Sequence, residues 1–211
     1  MSTYALRFVG QEGLSNRLSD FDLNQFFLLT AADIKAVGAQ FRSDHRAPAA
    51  LMVLYLRAVG RPLDSSTVLP RNLLRYVGET FRTTAPTIAS LRSIYQRSQT
   101  LYIHQLWAKT HLGLKDLDEQ SEAQLVALLK LQAAEASHSD DLATAACHWL
   151  YEHRILIPGP RRVQDWARAA FAATEAEILQ TISKAVPAAT LKSCRESTYR
   201  QRPDSTATHL E

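Results

Sequence analysis

The side chains best suited to chemistry in this sequence are donors, and they fall in three short stretches. Arg97, Ser98, Thr100, His104 and Lys109 lie within one segment, Arg161, Arg162 and Arg168 in a second, and Arg42, His45 and Arg46 in a third. Arginine presents a planar, weakly hydrated fork that fits phosphate oxygens and guanine edges, and hydroxyl and imidazole groups can bond base edges. The first stretch is therefore expected to lie near bases and the other two against phosphates. Arg57 and Arg61 also flank a helix end, where their charge would offset the negative end of the helix dipole.

Catalytic chemistry finds no comparable support. The seven glycines are scattered, so no phosphate-cradling loop is formed, and there is no Gly-x-Ser-x-Gly or Cys-x-x-Cys. Cys147, His148 and His153 resemble a metal cluster at first sight. Positions five apart on a helix, however, differ by about 140°, so the two histidines point apart. Asp140 and Asp141 suit the first turn of a helix better than an acid pair. No catalytic residue, metal site or cofactor is expected.

The elements that must position these groups read as helices throughout. Thr30 with Asp33 opens a short helix carrying Ile34 and Val37. Asp44 and Pro48 begin another, with Leu51, Leu54, Tyr55 and Ala58 on one face and a stop at Gly60. Pro70 opens a third, with Leu73, Leu74 and Val77 on its face. Ser98 caps a fourth that ends at Gly113, with Ile103, Leu106, Trp107 and Thr110 inward and Thr100, His104, Gln105, Lys109 and His111 outward. Leu125, Leu128, Leu129 and Gln132 trace a fifth. Ser139 begins a sixth that buries Leu142, Ala145 or Ala146, and Trp149. After the break at Pro158-Gly159-Pro160 comes a longer helix with Val163, Trp166, Ala167, Ala170, Ile178 and Ile182 as its stripe. Period-two alternation is nearly absent. The fold class expected is all-α: a bundle of short helices with helix-turn-helix-like DNA-binding units in two subdomains. The boundaries expected are an arm over 1–25, a basic helical unit over 26–113, a second helical unit over 114–187 and a polar tail over 188–211.

Charge supports this division. The 211 residues carry a net +3, but residues 1–110 carry +6, residues 111–160 carry −5 and residues 161–211 carry +2. Of the 13 cations in the first half, 11 are arginine. Cys147 and Cys194 lie in unlike surroundings and are expected to be unpaired. No apolar run reaches the roughly 18 residues that a membrane span needs, and Met1 to Gly10 lacks the basic region, long apolar core and small-residue cleavage site of a signal peptide, so none is expected. A cytoplasmic location is expected.

Several segments, in order, resemble the N-terminal region of Tn-three-type replicative transposases. They are Phe26-Phe27-Leu28-Leu29-Thr30 with Asp33 and Ile34; Arg46 followed by Leu54-Tyr55-Leu56-Arg57-Ala58-Val59-Gly60-Arg61; and Val68-Leu69-Pro70 with Tyr76. Tyr95, Arg97, Thr100 and His104 with Leu112-Gly113 follow, then Arg154-Ile155-Leu156-Ile157-Pro158-Gly159, and finally Thr208-His209-Leu210-Glu211. The sequence departs from the pattern at Ala47-Pro48, where Leu-Gly is usual, at Leu101, which stands where an arginine is expected, and over Tyr76 to Phe81, which lacks the usual Gln-Leu-Gly. The resemblance implies binding of double-stranded DNA at transposon terminal inverted repeats, with a homodimer in the full-length protein. It also implies that the catalytic acids lie in a C-terminal region outside this chain, so that this segment binds DNA and does not cut it. The rival reading is an all-helical interaction or dimerisation module without specific DNA binding.

Overall fold

The computed structural model describes residues 6–64 and 67–185. Among these residues there are nine helices: α1 (Asp20–Phe26), α2 (Ala31–Gln40), α3 (Ser43–Val59), α4 (Arg71–Thr80), α5 (Ile88–Tyr95), α6 (Ser98–His111), α7 (Glu119–Ala133), α8 (Ser139–Glu152) and α9 (Pro160–Ala185). The only extended pairing among them is a bridge between Lys115 and Ile155. The fold is all-α, and no helix among the described residues is long and apolar enough to cross a membrane.

Local chemistry explains most of the helix starts. The Thr30 hydroxyl accepts from the Asp33 amide while the Asp33 carboxylate accepts from the Thr30 amide, a reciprocal cap that opens α2. Thr87 and Ser90 do the same for α5, Ser19 caps α1, and Asp118 caps α7. Helices α1 and α5 were not expected. At 7 and 8 residues they are too short to show a periodic stripe, and only their caps mark them.

Helix α3 is the centre of the molecule. Apart from Arg57, every residue from Ala47 to Val59 is buried, so the single stripe expected for it is in fact a helix covered on all sides. Around it, α1, α2, α4, α5 and α6 with Phe8, Leu14 and Leu18 build one hydrophobic cluster. A second cluster is made by α7, α8 and the first part of α9, with Val9.

The end of α3 ties the two clusters together. The last carbonyls of a helix have no partner inside it, and here other segments supply the partners. The Tyr151 hydroxyl donates to Arg57 O at 2.7 Å and the Gly10 amide to Val59 O at 2.9 Å. The Ile157 amide then donates to Gly60 O at 3.0 Å. Gly60 caps the helix with φ 77°, and a Cβ there would lie 2.7 Å from Ile157 Cδ1. Both the left-handed backbone and the close approach require glycine.

Three expectations about buried faces are corrected. The buried face of α8 is Leu142, Ala143, Ala146, Cys147 and Leu150, with Trp149 only half-buried. The stripe of α9 is buried at Val163, Ala167 and Ala170, but Ile178 and Ile182 are about half exposed, on a helix of 26 residues packed against α7 and α8 of only 15 and 14. Ile34, expected on the apolar face of α2, stands at the surface while Val37 is fully buried. Cys194, the polar tail over 188–211 and the segment Thr208 to Glu211 lie outside the described residues.

A buried carboxylate locks α2, α3 and α6. Asp33 is 2% exposed. Its oxygens accept from Arg57 Nη2 at 2.7 and 2.8 Å and face His111 Nε2 at 2.8 Å. Burial by itself would raise its pKa, but the hydrogen bonds from Arg57, His111 and Thr30 outweigh that and hold it well below the ordinary 3.8. A carboxyl with a folded pKa below its unfolded one stabilises fully above the unfolded value and loses that stabilisation as pH falls through and below it. Asp33→Ala is expected to cost about 3 kcal/mol, because Arg57 and the Thr30 amide lose their acceptor. Urea unfolding should show the lower midpoint at an unchanged slope. The acid destabilisation of the wild type below about pH 4 should be smaller in the variant, and a wild-type midpoint for Asp33→Ala would refute the assignment.

Candidate nucleic-acid interface

The structure treats the three expected groups of residues differently. In the first, Arg97 and Ser98 are exposed at the start of α6 and Thr100 is half-buried one turn on. Arg97 is the N-cap and Ser98 the first helical residue, so the cap expected at Ser98 sits one position earlier, without a side-chain hydrogen bond. Lys109 is drawn into an ion pair with Asp116 at 2.6 Å.

His104, expected to face outward, is 2% exposed. The helix is rotated from the expected orientation, burying His104 and Ala108 and exposing Tyr102, Ile103 and Leu106 by 62, 47 and 43%. Thr110, expected inward, is also exposed. The cause is a buried polar relay that satisfies the imidazole. The Tyr95 hydroxyl donates to Pro48 O at 3.1 Å, so its oxygen accepts from His104 Nδ1 at 3.2 Å. His104 Nε2 is then the acceptor for His45 Nδ1, also at 3.2 Å. Phe41 meets the His104 ring edge-on at 4.8 Å and Trp107 at 4.9 Å. Neither nitrogen of His104 is left for an external partner.

The second group is mostly free. Arg161 and Arg168 are exposed and have no ion pair among the described residues. Arg162 pairs with Glu122 at 2.6 Å and lies over the Trp166 ring. In the third group, Arg42 is exposed and unpaired among the described residues. Arg46 instead donates to Phe41 O and Gly38 O, closing the end of α2, and His45 is held in the relay. Arg57, assigned to dipole compensation from sequence, is chiefly the partner of Asp33, and it also donates to Leu28 O at 3.2 Å.

The outward surface beside α6 therefore consists of Arg92, Ser93 and Gln96 from α5 and its turn, Arg97, Ser98 and Gln99 at the helix start, and Tyr102, Ile103 and Leu106 beyond. A signal for this surface was present in the sequence. Between Glu79 and Asp116 there is no acidic residue, while Arg82, Arg92, Arg97, Lys109 and Lys115 supply five cations. Such a segment presents positive potential that its own carboxylates do not cancel. Arg82, with φ 52°, turns the chain after α4. Among the described residues no group of three or more His, Cys, Asp or Glu is placed to hold a metal ion.

The relay has a pH signature. Burial, with the neighbouring His45 adding to it, lowers His104 to about 4 from an ordinary 6.5. The unfolded chain then binds a proton between those values that the folded one refuses, so the contribution is complete above the unfolded pKa and declines as pH falls toward 4. Imidazole ¹⁵N spectra are expected to show His104 as the neutral Nδ1–H tautomer at pH 5.5. An imidazolium signal for it at that pH would contradict the relay.

Residues 12–170 match the family model described as a domain of unknown function (DUF4158). Over 204 residues, 97% of this chain, the sequence is 34% identical to the transposase for insertion sequence element IS1071 in transposon Tn5271 of Comamonas testosteroni. The chain spans about a fifth (21%) of the length of that curated relative. The protein is transposase-related, and it belongs to the DUF4158 family.

Proposed function

We propose that this chain is a DNA-binding region of a transposase of the Tn-three type, recognising terminal inverted repeats without carrying out the strand chemistry. The observation that carries this reading is the acid-free segment between Glu79 and Asp116, which exposes Arg92 and Arg97 without carboxylate partners among the described residues. The likeness to a transposase over nearly the whole chain supports it. Arg97, Ser98 and Thr100 are the base-proximal candidates, at the open start of α6, where a helix terminus can meet the DNA and exposed side chains can reach base edges. Arg42, Arg161 and Arg168 are the phosphate contacts, and Arg162 joins them once it exchanges Glu122 for a phosphate. His104, His45, Arg46 and Lys109 act one step back. His45 and His104 hold α6 against α3, Arg46 closes the end of α2 on α3, and Lys109 fastens the loop that follows α6. The units over 26–113 and 114–187 would then grip the repeat together. The cytoplasm, at the nucleoid, is the corresponding location.

A titration at two salt concentrations tests this reading, comparing a duplex carrying the source element's terminal repeat with a scrambled one. Tighter binding to the repeat is expected. Arg161→Ala should weaken binding to both duplexes and lower the salt slope by about one unit. Arg97→Ala should cost roughly 1 to 3 kcal/mol on the repeat alone. Equal affinity of the wild type for both duplexes would remove specific recognition, and unchanged affinity in both variants would remove these contacts.

One observation favours a second reading, an interaction or dimerisation module. Ile178, Leu179 and Ile182 on α9 are 47, 66 and 51% exposed, an apolar face with no partner among the described residues. If two transposase copies meet there, sedimentation of the wild type should depend on concentration and that of Leu179→Glu should not. A wild type monomeric at all concentrations would end this reading.

A further inference from the structure

Arg61 is unlike every other described cation. It follows the Gly60 cap of α3 and is 9% exposed, yet its Nε and Nη1 have no hydrogen-bond partner among the described residues. Its Nη2 has only a long contact, 3.8 Å, to Cys147 Sγ. Burial raises the thiol's pKa, so this neighbour is a neutral and weak acceptor. A guanidinium is never deprotonated in a protein, and a buried charge without a counter-ion is strongly unfavourable. The nearby carbonyl end of α3 offsets the charge only partly, because its Val59 and Gly60 oxygens are already taken by Gly10 and Ile157.

Arg61 forms part of the wall of two adjoining cavities, of about 360 and 650 Å³. The larger is also lined by Thr67, Gln105, Arg162 and the Gly159-Pro160 start of α9. Helix α9 runs for 26 residues and has no acidic residue in its first turn. Its N-terminus therefore brings positive potential with no carboxylate in its own first turn; the Arg162 and Val163 amides bond back to Gly159 O at 3.1 and 3.5 Å, which leaves the Arg161 amide without a partner among the described residues. Two carboxylates border this cavity, and a third, Glu122, holds Arg162 Nη2 at 2.6 Å and must be exchanged for any phosphate bound there. Asp64 accepts from the Thr67 hydroxyl at 2.8 Å, and Glu12 is exposed at the rim.

We propose that this cavity is a phosphate-binding site, in which Arg61, Arg162 and the N-terminus of α9 together hold one phosphate group. Two guanidinium forks and a helix N-terminus suit a compact, multiply charged oxyanion. Arg61 Nε and Nη1 are covered by protein atoms, so the phosphate is met by a turn of the guanidinium into the cavity whose wall it forms. The group can come from a DNA backbone or from a free phosphate species. The site shares Arg162 with the proposed DNA surface and does not depend on repeat recognition.

The test is an NMR titration of the whole chain with inorganic phosphate at constant ionic strength, observing Arg61 Nε–H and the amides of Gly159, Arg161, Arg162 and Val163. Saturable shifts confined to this set are expected, with affinity at least tenfold weaker in Arg61→Met. If that variant does not fold, Arg162→Ala, at a position half exposed to solvent, serves instead and should also weaken binding. A short duplex added to the phosphate-saturated protein then assigns the source. Displacement identifies backbone phosphate, and no displacement identifies a free phosphate species. Unsaturable shifts spread over exposed arginines, or wild-type affinity in the folded variants, would overturn the site.

Discussion

The structure depends on the need of α3's last carbonyls for partners. A helix buried on every side cannot leave its terminal oxygens to water, and unpaired buried carbonyls are costly. Tyr151 from α8, Gly10 from the N-terminal segment and Ile157 from the α8–α9 loop reach the end of α3 to supply donors, at Arg57 O, Val59 O and Gly60 O. Those three bonds draw the second hydrophobic cluster against the first. They also fix where α9 starts, since Pro158-Gly159-Pro160 follows immediately on Ile157. The arginines at the head of α9 are thereby aimed by a constraint that originates in another helix.

Within the first cluster, polar groups decide orientation where hydrophobicity leaves it open. Helix α6 is weakly amphipathic, with Ile103, Leu106 and Trp107 competing against His104 and Ala108 for the inside. The Tyr95–His104–His45 relay gives the imidazole a partner on each nitrogen, and the Asp33–Arg57–His111 cluster fixes the far end of the helix. A fully satisfied buried network specifies one arrangement, because any other leaves its members unpaired. The consequence for the surface is that α6 shows Gln99, Tyr102, Ile103 and Leu106 outward, beneath a start marked by Arg97 and Ser98.

Most of the cations accordingly fall into two kinds. Arg7, Arg46, Arg57 and Lys109 are bound into the protein by carboxylates or carbonyls. Arg42, Arg92, Arg97, Arg161 and Arg168 stand exposed and unpaired among the described residues. Only the second kind keeps its full hydrogen-bonding capacity for an external anion. Arg61 belongs to neither, being enclosed but unpaired.

Much of the fold was legible in the sequence by itself. The Thr30–Asp33 box, the Gly60 stop, Pro70 before α4 and the Pro158-Gly159-Pro160 break are local signals, read over three or four residues, and each marks a real boundary. The all-α class followed from the spacing of apolar residues, and the order of family segments pointed to a transposase relative. What only the tertiary structure decided was the outcome of contacts between distant residues: which face of α6 is buried, that Arg57 and Arg46 are internal partners while Arg97 and Arg161 are unpaired among the described residues, and that the apolar stripe of α9 outruns its neighbours. The physical reason is that a cap needs only its own helix. The burial of His104 depends on Tyr95, Pro48 and His45, and the enclosure of Arg61 on Cys147, residues brought together by folding and not by their spacing in the chain.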